Sequence, residues 1–333
     1  LPQPHIYLGV GSGSHAEQTG KVMMKFEGVL FRECPDLVIV VGDVNSTLAC
    51  TLAAVKLNIP VAHVEAGLRS FDRSMPEEIN RLVTDALSTY LFTPSPDADE
   101  NLLRDGIPAE KIFQVGDIMV DSLLFHLEDA RKSDILARLA LLKQDSASTN
   151  SVAPYGLLTL HRPSNVDDKR SLEKILMALE IIAERIPIIF PIHPRARKQL
   201  AHFGLQERVI FHDISRKLDL SFPVIHGIDP LGYLDFLCLM NSARFVLTDS
   251  GGIQEETTVL GIPCLTLRDT TERPITITEG TNILVWNNTQ KIVKEAFKIL
   301  DGKSKKGKIP SYWDGKTAGR IINTLVERHL KDG

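Results

Sequence analysis

The stretch LTDSGGIQEE, residues 247–256, starts as an apolar strand, reaches a polar tip at Asp249 and Ser250, and turns through two glycines into a helix. Free amides at the start of a helix favour a bound anion. Glu255 and Glu256 nevertheless bring negative charge into the same turn. The segment therefore predicts a strand, a tight turn and a helix, with a ligand that suits both the amides and the carboxylates.

The same order of strand, polar tip and helix recurs along the chain. It is found in DLVIVVGDVNST (36–47), IPVAHVEAG (59–67), YGLLTLHRPSN (155–165), IPIIFPIHPR (186–195) and IPCLTLRDTTERP (262–274). Continuous apolar strands that alternate with helices are typical of parallel sheets, where ligands bind beyond the carboxyl ends of the strands. The polar side chains at those ends belong to Asp43, Glu65, His161, His193, Asp249 and Arg268.

Two long segments of the chain share one pattern, which predicts two similar domains. Residues 40–67 and 247–269 both run from a strand through Asp and small residues into a helix and a second strand. At 333 residues the chain can form two cores of about 150 residues each. We predict an α/β fold with two Rossmann-like doubly wound domains, residues 1–150 and 151–310. A large ligand would be held between them if the strand ends of both domains face a common cleft. An amphipathic helix follows in residues 311–333.

Composition and motifs argue against several other functions. A net charge of -4 gives no electrostatic footprint for nucleic acid or an anionic membrane. The longest apolar runs, such as residues 186–192, are far shorter than the roughly 20 residues that span a bilayer. The glycines of GVGSGS (9–14) lack the dinucleotide-binding order, and the histidines lack a metal-binding helix motif. We therefore predict no cofactor, no metal, no nucleic-acid partner and no membrane partner.

Structural roles remain open for several of the candidate residues. In MPEEINR (75–81) the two glutamates could simply favour a helix start, with Glu77 paired to Arg81 one turn later. Asp43 and Glu65 could cap helices, although carboxylates at neighbouring strand ends would point into one crevice. The two histidines at strand ends have the same ambiguity.

Six motifs, spread over nearly the whole chain, resemble those of the non-hydrolysing UDP-N-acetylglucosamine 2-epimerases. They are GDVNST (42–47), HVEAGLRS (63–70), MPEEINR (75–81), LTLHRPSN (158–165), DPLGYLDFLCLMNSARFVLTDSGGIQEE (229–256) and RDTTERP (268–274). The resemblance implies a glycosyltransferase-B-like fold and a cytoplasmic homodimer that interconverts UDP-GlcNAc and UDP-ManNAc without metal or nicotinamide. It also implies that the helix in residues 311–333 returns towards the N-terminal domain.

The resemblance implies how the opening segment would bind UDP. The amides of Gly251 and Gly252, with the Ser250 hydroxyl, would hold the diphosphate. Glu256 would accept hydrogen bonds from the ribose hydroxyls. Arg273 is similar to an arginine that complements the phosphates or the sugar, and its planar fork suits diphosphate oxygens.

Three further ligand contacts follow from the resemblance. Phe236 and the nearby strand backbone are implied as the cradle for uracil, with a core aromatic as the alternative. Gln18 in HAEQTGK (15–21) and His193 in PIHPR (191–195) resemble ligand-contacting positions of the family.

The chemistry of the substrate explains a cluster of acidic residues. The C2 hydrogen of the sugar is not flanked by a carbonyl, so epimerisation needs elimination of UDP to a glycal, followed by re-addition with a proton on the other face. Two faces require differently placed acid or base groups. Asp43, Glu65, Glu77 and His161 match the active-site residues of the family. Arg81 would orient Glu77 or meet the leaving phosphate.

One feature departs from the family pattern. The sequence starts at LPQPHIYLGV (1–10), which resembles a point well inside the family's N-terminal domain. It contains no Arg-Pro-Glu segment of the kind that contacts the phosphates in the family. We therefore expect an N-terminal domain without its first strand and helix, and poor activity for this 333-residue form.

Four alternative functions remain. The first is a 2-epimerase for a UDP-diacetamido-uronic acid, which uses the same elimination. The second is a hydrolysing epimerase, which would release free ManNAc with UDP. A glycosyltransferase shares the fold but does not need three carboxylates and a histidine around C2. A noncatalytic UDP-sugar binding protein is the fourth.

Overall fold

The computed structural model describes residues 3–144, 150–213 and 224–328. The chain divides into two compact units. Unit 1 comprises Leu1–Asp121 and Ser311–Gly333, and unit 2 comprises Ser122–Pro310.

Unit 1 contains a parallel sheet of four strands in the order β1-β2-β3-β4. The strands are β1 (Val38–Val41), β2 (Val61–Val64), β3 (Tyr90–Thr93) and β4 (Ile112–Gln114). The helices are α1 (His15–Glu33), α2 (Asn45–Lys56), α3 (Pro76–Leu87), α4 (Pro96–Arg104), a short 3-10 helix (Ala109–Lys111) and, beginning in this unit, α5 (Ile118–Arg131). Because all four strands are parallel, their carboxyl ends lie along one edge of the sheet.

The C-terminal segment of the chain packs within unit 1. Helix α14 (Thr317–Arg328) buries Ile321 and Leu325 in a cluster with Val64 and Phe92. Trp313, just before this helix, is buried, and its indole N–H donates to the carbonyl of Pro94 at 2.9 Å. These contacts make the segment part of the unit 1 core.

Replacing Trp313 with Ala is expected to lower the free energy of unfolding by about 3–5 kcal/mol, because the change opens a cavity and removes a buried hydrogen bond. Trp313 is 3% exposed, whereas Trp286 is 48% exposed. The matched variant Trp286→Ala should therefore cost only about 1 kcal/mol. Denaturant unfolding of both variants measures the difference, and equal losses would contradict the assigned role of Trp313.

Unit 2 contains a parallel sheet of seven strands in the order β13-β12-β11-β7-β8-β10-β9, together with an antiparallel pair β5-β6. The strands are β5 (Leu142–Gln144), β6 (Asn150–Val152), β7 (Gly156–Thr159), β8 (Ile188–Pro191), β9 (Ile210–Phe211), β10 (Ile225–Ile228), β11 (Phe245–Thr248), β12 (Cys264–Thr266) and β13 (Asn282–Leu284). The helices are α6 (Ile135–Arg138), α7 (Pro163–Val166), α8 (Lys169–Ala183), α9 (Pro194–Phe203), a short 3-10 helix (Gln206–Arg208), α10 (Tyr233–Ser242), α11 (Gly251–Leu260), α12 (Ile275–Thr278) and α13 (Thr289–Leu300).

Strand order in the unit 2 sheet reverses at β7. The chain moves from β7 to β8 on one side and later returns to place β11 on the other side of β7. In open parallel sheets, ligands bind at such a switch point, beyond the carboxyl ends of the strands. The loops after β7 and β11 are therefore the expected ligand-binding loops of this unit.

The two parallel sheets with their helices confirm the predicted α/β class. The division between the units lies within α5, earlier than the predicted limit at residue 150. The physical reason is packing, because Leu123, Ile135 and Leu141 are buried in one cluster with Leu157 and other residues of the unit 2 sheet. In the described ranges, every helix is too short or too polar to cross a membrane.

Candidate functional site

In unit 2, Asp249 anchors the loop that follows β7. The side chain of Asp249 is fully buried, and its Oδ1 lies 2.9 Å from Nδ1 of His161. Its Oδ2 accepts hydrogen bonds from the backbone N–H of His161 (3.1 Å) and of Arg162 (2.9 Å) and from the amide of Asn165 (3.1 Å). Burial would raise the pKa of Asp249, but the hydrogen bonds that it accepts, first of all from the His161 ring, hold it below its ordinary value.

These contacts fix the orientation of the His161 ring and determine which ring nitrogen carries the proton. An ionised carboxylate can only accept, so Nδ1 of His161 carries the proton that is donated to Asp249. Nε2 is then the nitrogen that can take up a proton from a ligand. His193 follows β8, and its ring centroid lies 6.0 Å from that of His161. Both predicted histidines therefore lie together at the carboxyl edge of the sheet.

The start of α11 offers free amides beside an arginine. Ser250 is the N-cap, and within the described part of the chain its hydroxyl makes no capping bond. Gly251 is buried, and a Cβ at this position would lie 2.6 Å from Nη1 of Arg273. Only glycine allows the guanidinium to approach the helix start so closely. The predicted residues Ser250, Gly251 and Arg273 thus form one group, next to Gly252.

A buried carboxylate holds the arginines in this group. Glu272 is 2% exposed; its Oε2 lies 2.6 Å from Arg268, and its Oε1 lies 2.7 Å from Arg273 and 3.8 Å from Arg162. Glu255 also pairs with Arg273. Burial alone would raise the pKa of Glu272, but Arg273 and Arg268 hold it well below its usual range. The guanidinium of Arg273, which lies beside the start of α11, is the group there that favours an anion.

Glu256, one turn into α11, is the carboxylate predicted to bind ribose. It is buried, and its Oε1 accepts a hydrogen bond of 2.9 Å from the hydroxyl of Tyr233. Burial and the charge of Glu256 raise the pKa of Tyr233, which keeps its hydroxyl protonated and donating. Phe236 lies on the same helix as Tyr233 and packs partly buried against the core. Its predicted contact with uracil remains a prediction.

In unit 1, Asp43 and Glu65 follow the neighbouring strands β1 and β2. The N–H of Gly42 donates to the carbonyl of Val64 at 3.0 Å, which joins the two strand ends. Glu65 has a left-handed backbone with φ of +72°, and a Cβ at Gly42 would lie 3.4 Å from Oε2 of Glu65. A non-glycine residue in this conformation is strained, and such strain is common at functional sites. The structure thus brings the two predicted carboxylates to one sheet edge.

Arg81 on α3 is buried between carboxylates. Its Nη2 lies 2.7 Å from Oδ2 of Asp43, and its Nη1 lies 2.5 Å from Oε2 of Glu78. Glu78 also accepts hydrogen bonds from the backbone N–H of Ser70 and of Phe71. The pairing of Glu77 with Arg81 considered from the sequence is wrong, because the loop before α3 turns Glu78 towards the arginine. Arg81 therefore orients Asp43, and a direct ligand contact for Arg81 stays a prediction.

Glu77 lies instead in a pocket of about 330 Å³ together with Gln18. Oε1 of Gln18 accepts a hydrogen bond of 2.9 Å from the amide of Asn45, whose Oδ1 accepts one of 3.3 Å from Asn80. The pocket is lined by α1, α2 and α3. The structure thus groups Glu77 and Gln18 within unit 1.

The predicted residues fall into two groups, one in each unit. Unit 1 holds Gln18, Asp43, Glu65, Glu77 and Arg81, and unit 2 holds His161, His193, Phe236, Ser250, Gly251, Gly252, Glu256 and Arg273. Their individual roles remain predictions. Sequence reasoning missed Asn165, Tyr233 and Glu272 as polar partners, although all three lie within the family-like motifs. Among the described ranges, no group of three His, Cys, Asp or Glu side chains could hold a metal ion.

Comparison with known proteins identifies the family. A family model described as UDP-N-acetylglucosamine 2-epimerase matches residues 1–326. The UDP-N-acetylglucosamine 2-epimerase of Methanocaldococcus jannaschii is 47% identical over 98% of this chain and 85% of its own length. The UDP-2,3-diacetamido-2,3-dideoxy-D-glucuronate 2-epimerase of Pseudomonas aeruginosa is 40% identical over the same shares.

A solved structure supports the same relationship. The crystal structure of the Methanocaldococcus jannaschii UDP-GlcNAc 2-epimerase in complex with UDP-GlcNAc and UDP superimposes with a TM-score of 0.83. It is 46% identical and covers 98% of this chain and 85% of that chain. This match confirms the predicted glycosyltransferase-B-like fold class and the family resemblance. The chain therefore belongs to the UDP-N-acetylglucosamine 2-epimerase family.

Proposed function

We propose that this epimerase interconverts UDP-GlcNAc and UDP-ManNAc without net hydrolysis. The observation that carries the proposal is the group at the switch point of unit 2, where His161, Asp249 and the start of α11 meet an arginine cluster. It supplies an anion site and a proton-transfer group within one family-like framework. We further propose that the enzyme is a cytoplasmic homodimer, as the family resemblance implies.

The UDP moiety fits the features of α11. The diphosphate would accept hydrogen bonds from the amides of Gly251 and Gly252 and from the guanidinium of Arg273. Glu256, held by Tyr233, would accept hydrogen bonds from the ribose hydroxyls. Residues 247–256 predict a ligand that suits both amides and carboxylates. A nucleoside diphosphate is such a ligand, because it carries both anionic oxygens and hydroxyl donors.

The reaction would proceed by elimination and re-addition. A base takes the proton from C2, the C2–H electron pair forms the C1–C2 double bond, and the C1–O bond breaks with its electrons on the departing UDP. In the second half, a UDP oxygen bonds to C1 while an acid protonates C2 on the opposite face. Asp43, Glu65, Glu77 and His161 are the proposed acid and base groups.

A UDP-diacetamido-uronic acid is the second candidate substrate, to be compared with UDP-GlcNAc. The Pseudomonas aeruginosa relative is named for a UDP-2,3-diacetamido-2,3-dideoxy-D-glucuronate, so a UDP-diacetamido-uronic acid is the alternative for this chain. The uronate carries a carboxylate and a second acetamido group, and both would need donors around the sugar. Relative kcat/KM values for the two nucleotide sugars would decide between them.

The deciding experiment is incubation of the protein with UDP-GlcNAc in deuterated water, followed by NMR. We expect deuterium at C2 of both UDP-GlcNAc and UDP-ManNAc, with UDP retained on the sugar. Free ManNAc with UDP would instead indicate a hydrolysing epimerase. Turnover only in the presence of a sugar acceptor would indicate a glycosyltransferase, and binding without exchange would indicate a noncatalytic protein.

A further inference from the structure

His63 lies on β2, two residues before Glu65, and is fully buried. Its Nδ1 lies 2.6 Å from Oδ1 of Asp85, and its Nε2 lies 2.9 Å from the carbonyl oxygen of Gly42. Both ring nitrogens therefore face oxygen acceptors. The mechanism outlined above does not use this histidine.

The hydrogen-bond partners determine the charge of the ring. A carbonyl oxygen can only accept, so Nε2 must carry a hydrogen. On the other side, Oδ2 of Asp85 lies 2.6 Å from the guanidinium of Arg69 and accepts the N–H of Gly67 at 3.2 Å. These contacts favour the carboxylate form of Asp85, which can also only accept. Nδ1 must then carry a hydrogen too, and a ring with two N–H groups is an imidazolium.

The surrounding charges support this protonation state. Burial would lower the pKa of His63, but the hydrogen bond and charge of Asp85, the carbonyl of Gly42 and the charge of Glu65 together raise it. Arg69 faces Asp85 and is in turn paired with Asp105 at 2.8 Å. The charges of this buried network thus alternate in sign from the histidine outward.

The imidazolium is hydrogen-bonded to the turn that carries Asp43 and borders Glu65. Its Nε2–H group donates to the carbonyl of Gly42, the residue that precedes Asp43. The Glu65 carboxylate lies beside the same turn, since a Cβ placed on Gly42 would lie 3.4 Å from Oε2 of Glu65. Arg81 holds the other side of the same turn through Oδ2 of Asp43. Two buried cations therefore support one turn that carries one carboxylate and borders another.

We propose that His63 is a positioning residue that stays protonated, fixes the Gly42–Asp43 turn and favours the charged form of the Glu65 carboxylate. Its protonation is independent of the reaction, whereas its effect on turnover rests on the proposed function. In a water-poor interior a fixed cation acts on nearby charges more strongly than in water. The residue would thus set the pH range over which Glu65 can act as a base.

NMR of the wild-type protein with 15N-labelled histidine rings tests the protonation state directly. The His63 ring can be assigned through its contacts with Val40, its partner across the strands. We expect the imidazolium signature to persist at pH 8, well above the ordinary histidine pKa of about 6.5. A neutral ring at pH 7 would overturn the proposal, whatever the activity of the enzyme.

Kinetics of His63→Gln test the link to turnover. Glutamine can keep a hydrogen bond but carries no charge, so kcat should fall roughly tenfold with little change in KM. The acidic limb of the pH profile of kcat/KM should move to higher pH, because Glu65 loses a cation that favours its charged form. A control, His202→Gln, changes an exposed histidine of unit 2 and should leave the profile in place.

The outcomes separate the two proposals. A loss of activity without a shifted acidic limb would mean that His63 has only a structural role.

Because the folded-state pKa of His63 is raised, its contribution to stability is present below the ordinary histidine pKa and is lost as pH rises through the raised value. If His63→Gln does not fold, the NMR result on the wild type still decides the proposal. Wild-type inactivity towards UDP-GlcNAc would reject the proposed function and leave the imidazolium intact.

Discussion

Glu65→Gln is expected to lower kcat by about 10³-fold, within the range known for acid–base catalysts, while the affinity for UDP changes by less than about twofold. Glu65 follows β2 and is partly exposed at the sheet edge, where its carboxylate lies beside the Gly42 backbone. Glutamine keeps the size and the hydrogen-bond acceptor but cannot take a proton from C2 of the sugar. UDP, which has no C2 proton to transfer, should therefore still bind.

The experiment combines steady-state kinetics with calorimetric UDP binding and deuterium exchange at C2. Glu27→Gln, at an exposed position of α1, is the matched control and should be fully active. Because Glu65 has a left-handed backbone, its replacement also needs a check of thermal stability. Glutamine branches like glutamate beyond Cβ, so the backbone strain should be unchanged. A fully active Glu65→Gln variant would remove this residue from the mechanism.

The strand ends could be predicted from the sequence because the signal is local. A buried parallel strand requires a continuous apolar run, and the polar residue that ends the run marks the carboxyl edge. The pattern predicts His161, Asp249 and Ser250 beyond the ends of strands, and in the structure they lie on the loops after β7 and β11. The motifs then related these positions to a family, which the comparison with known proteins confirmed.

The partners of these residues could not be predicted, because they depend on contacts between distant parts of the chain. Glu272 meets Arg162, which lies more than a hundred residues earlier in the chain. On α3, both Glu77 and Glu78 lie within one helical turn of Arg81, so spacing alone could not choose between them. The backbone N–H of Ser70 donates to Glu78, and this hydrogen bond helps to hold the Glu78 carboxylate beside Arg81. Only tertiary structure contains that information.

Asp249→Asn is expected to reduce kcat by about 10²–10⁴-fold, because it should impose the wrong tautomer on His161. Oδ2 of Asp249 faces three N–H donors, from His161, Arg162 and Asn165. The asparagine oxygen must take that place, since an amide N–H₂ there would meet other donors. The N–H₂ group then faces Nδ1 of His161, which becomes an acceptor and leaves the proton on Nε2. A neutral His161 would then present a donor where the wild type presents an acceptor.

A double-mutant cycle with His161→Ala separates this effect from simple destabilisation. If Asp249 acts through His161, then Asp249→Asn should cost little further activity in the His161→Ala background. Stability gives a second readout with a defined sign. The pKa of Asp249 is lowered in the folded protein, so its stabilising contribution is present above the ordinary aspartate pKa of about 3.9 and is lost as pH falls through the lowered value. The asparagine variant should lack this acid-dependent loss, and full additivity in the cycle would show that Asp249 acts on the fold and not on the histidine.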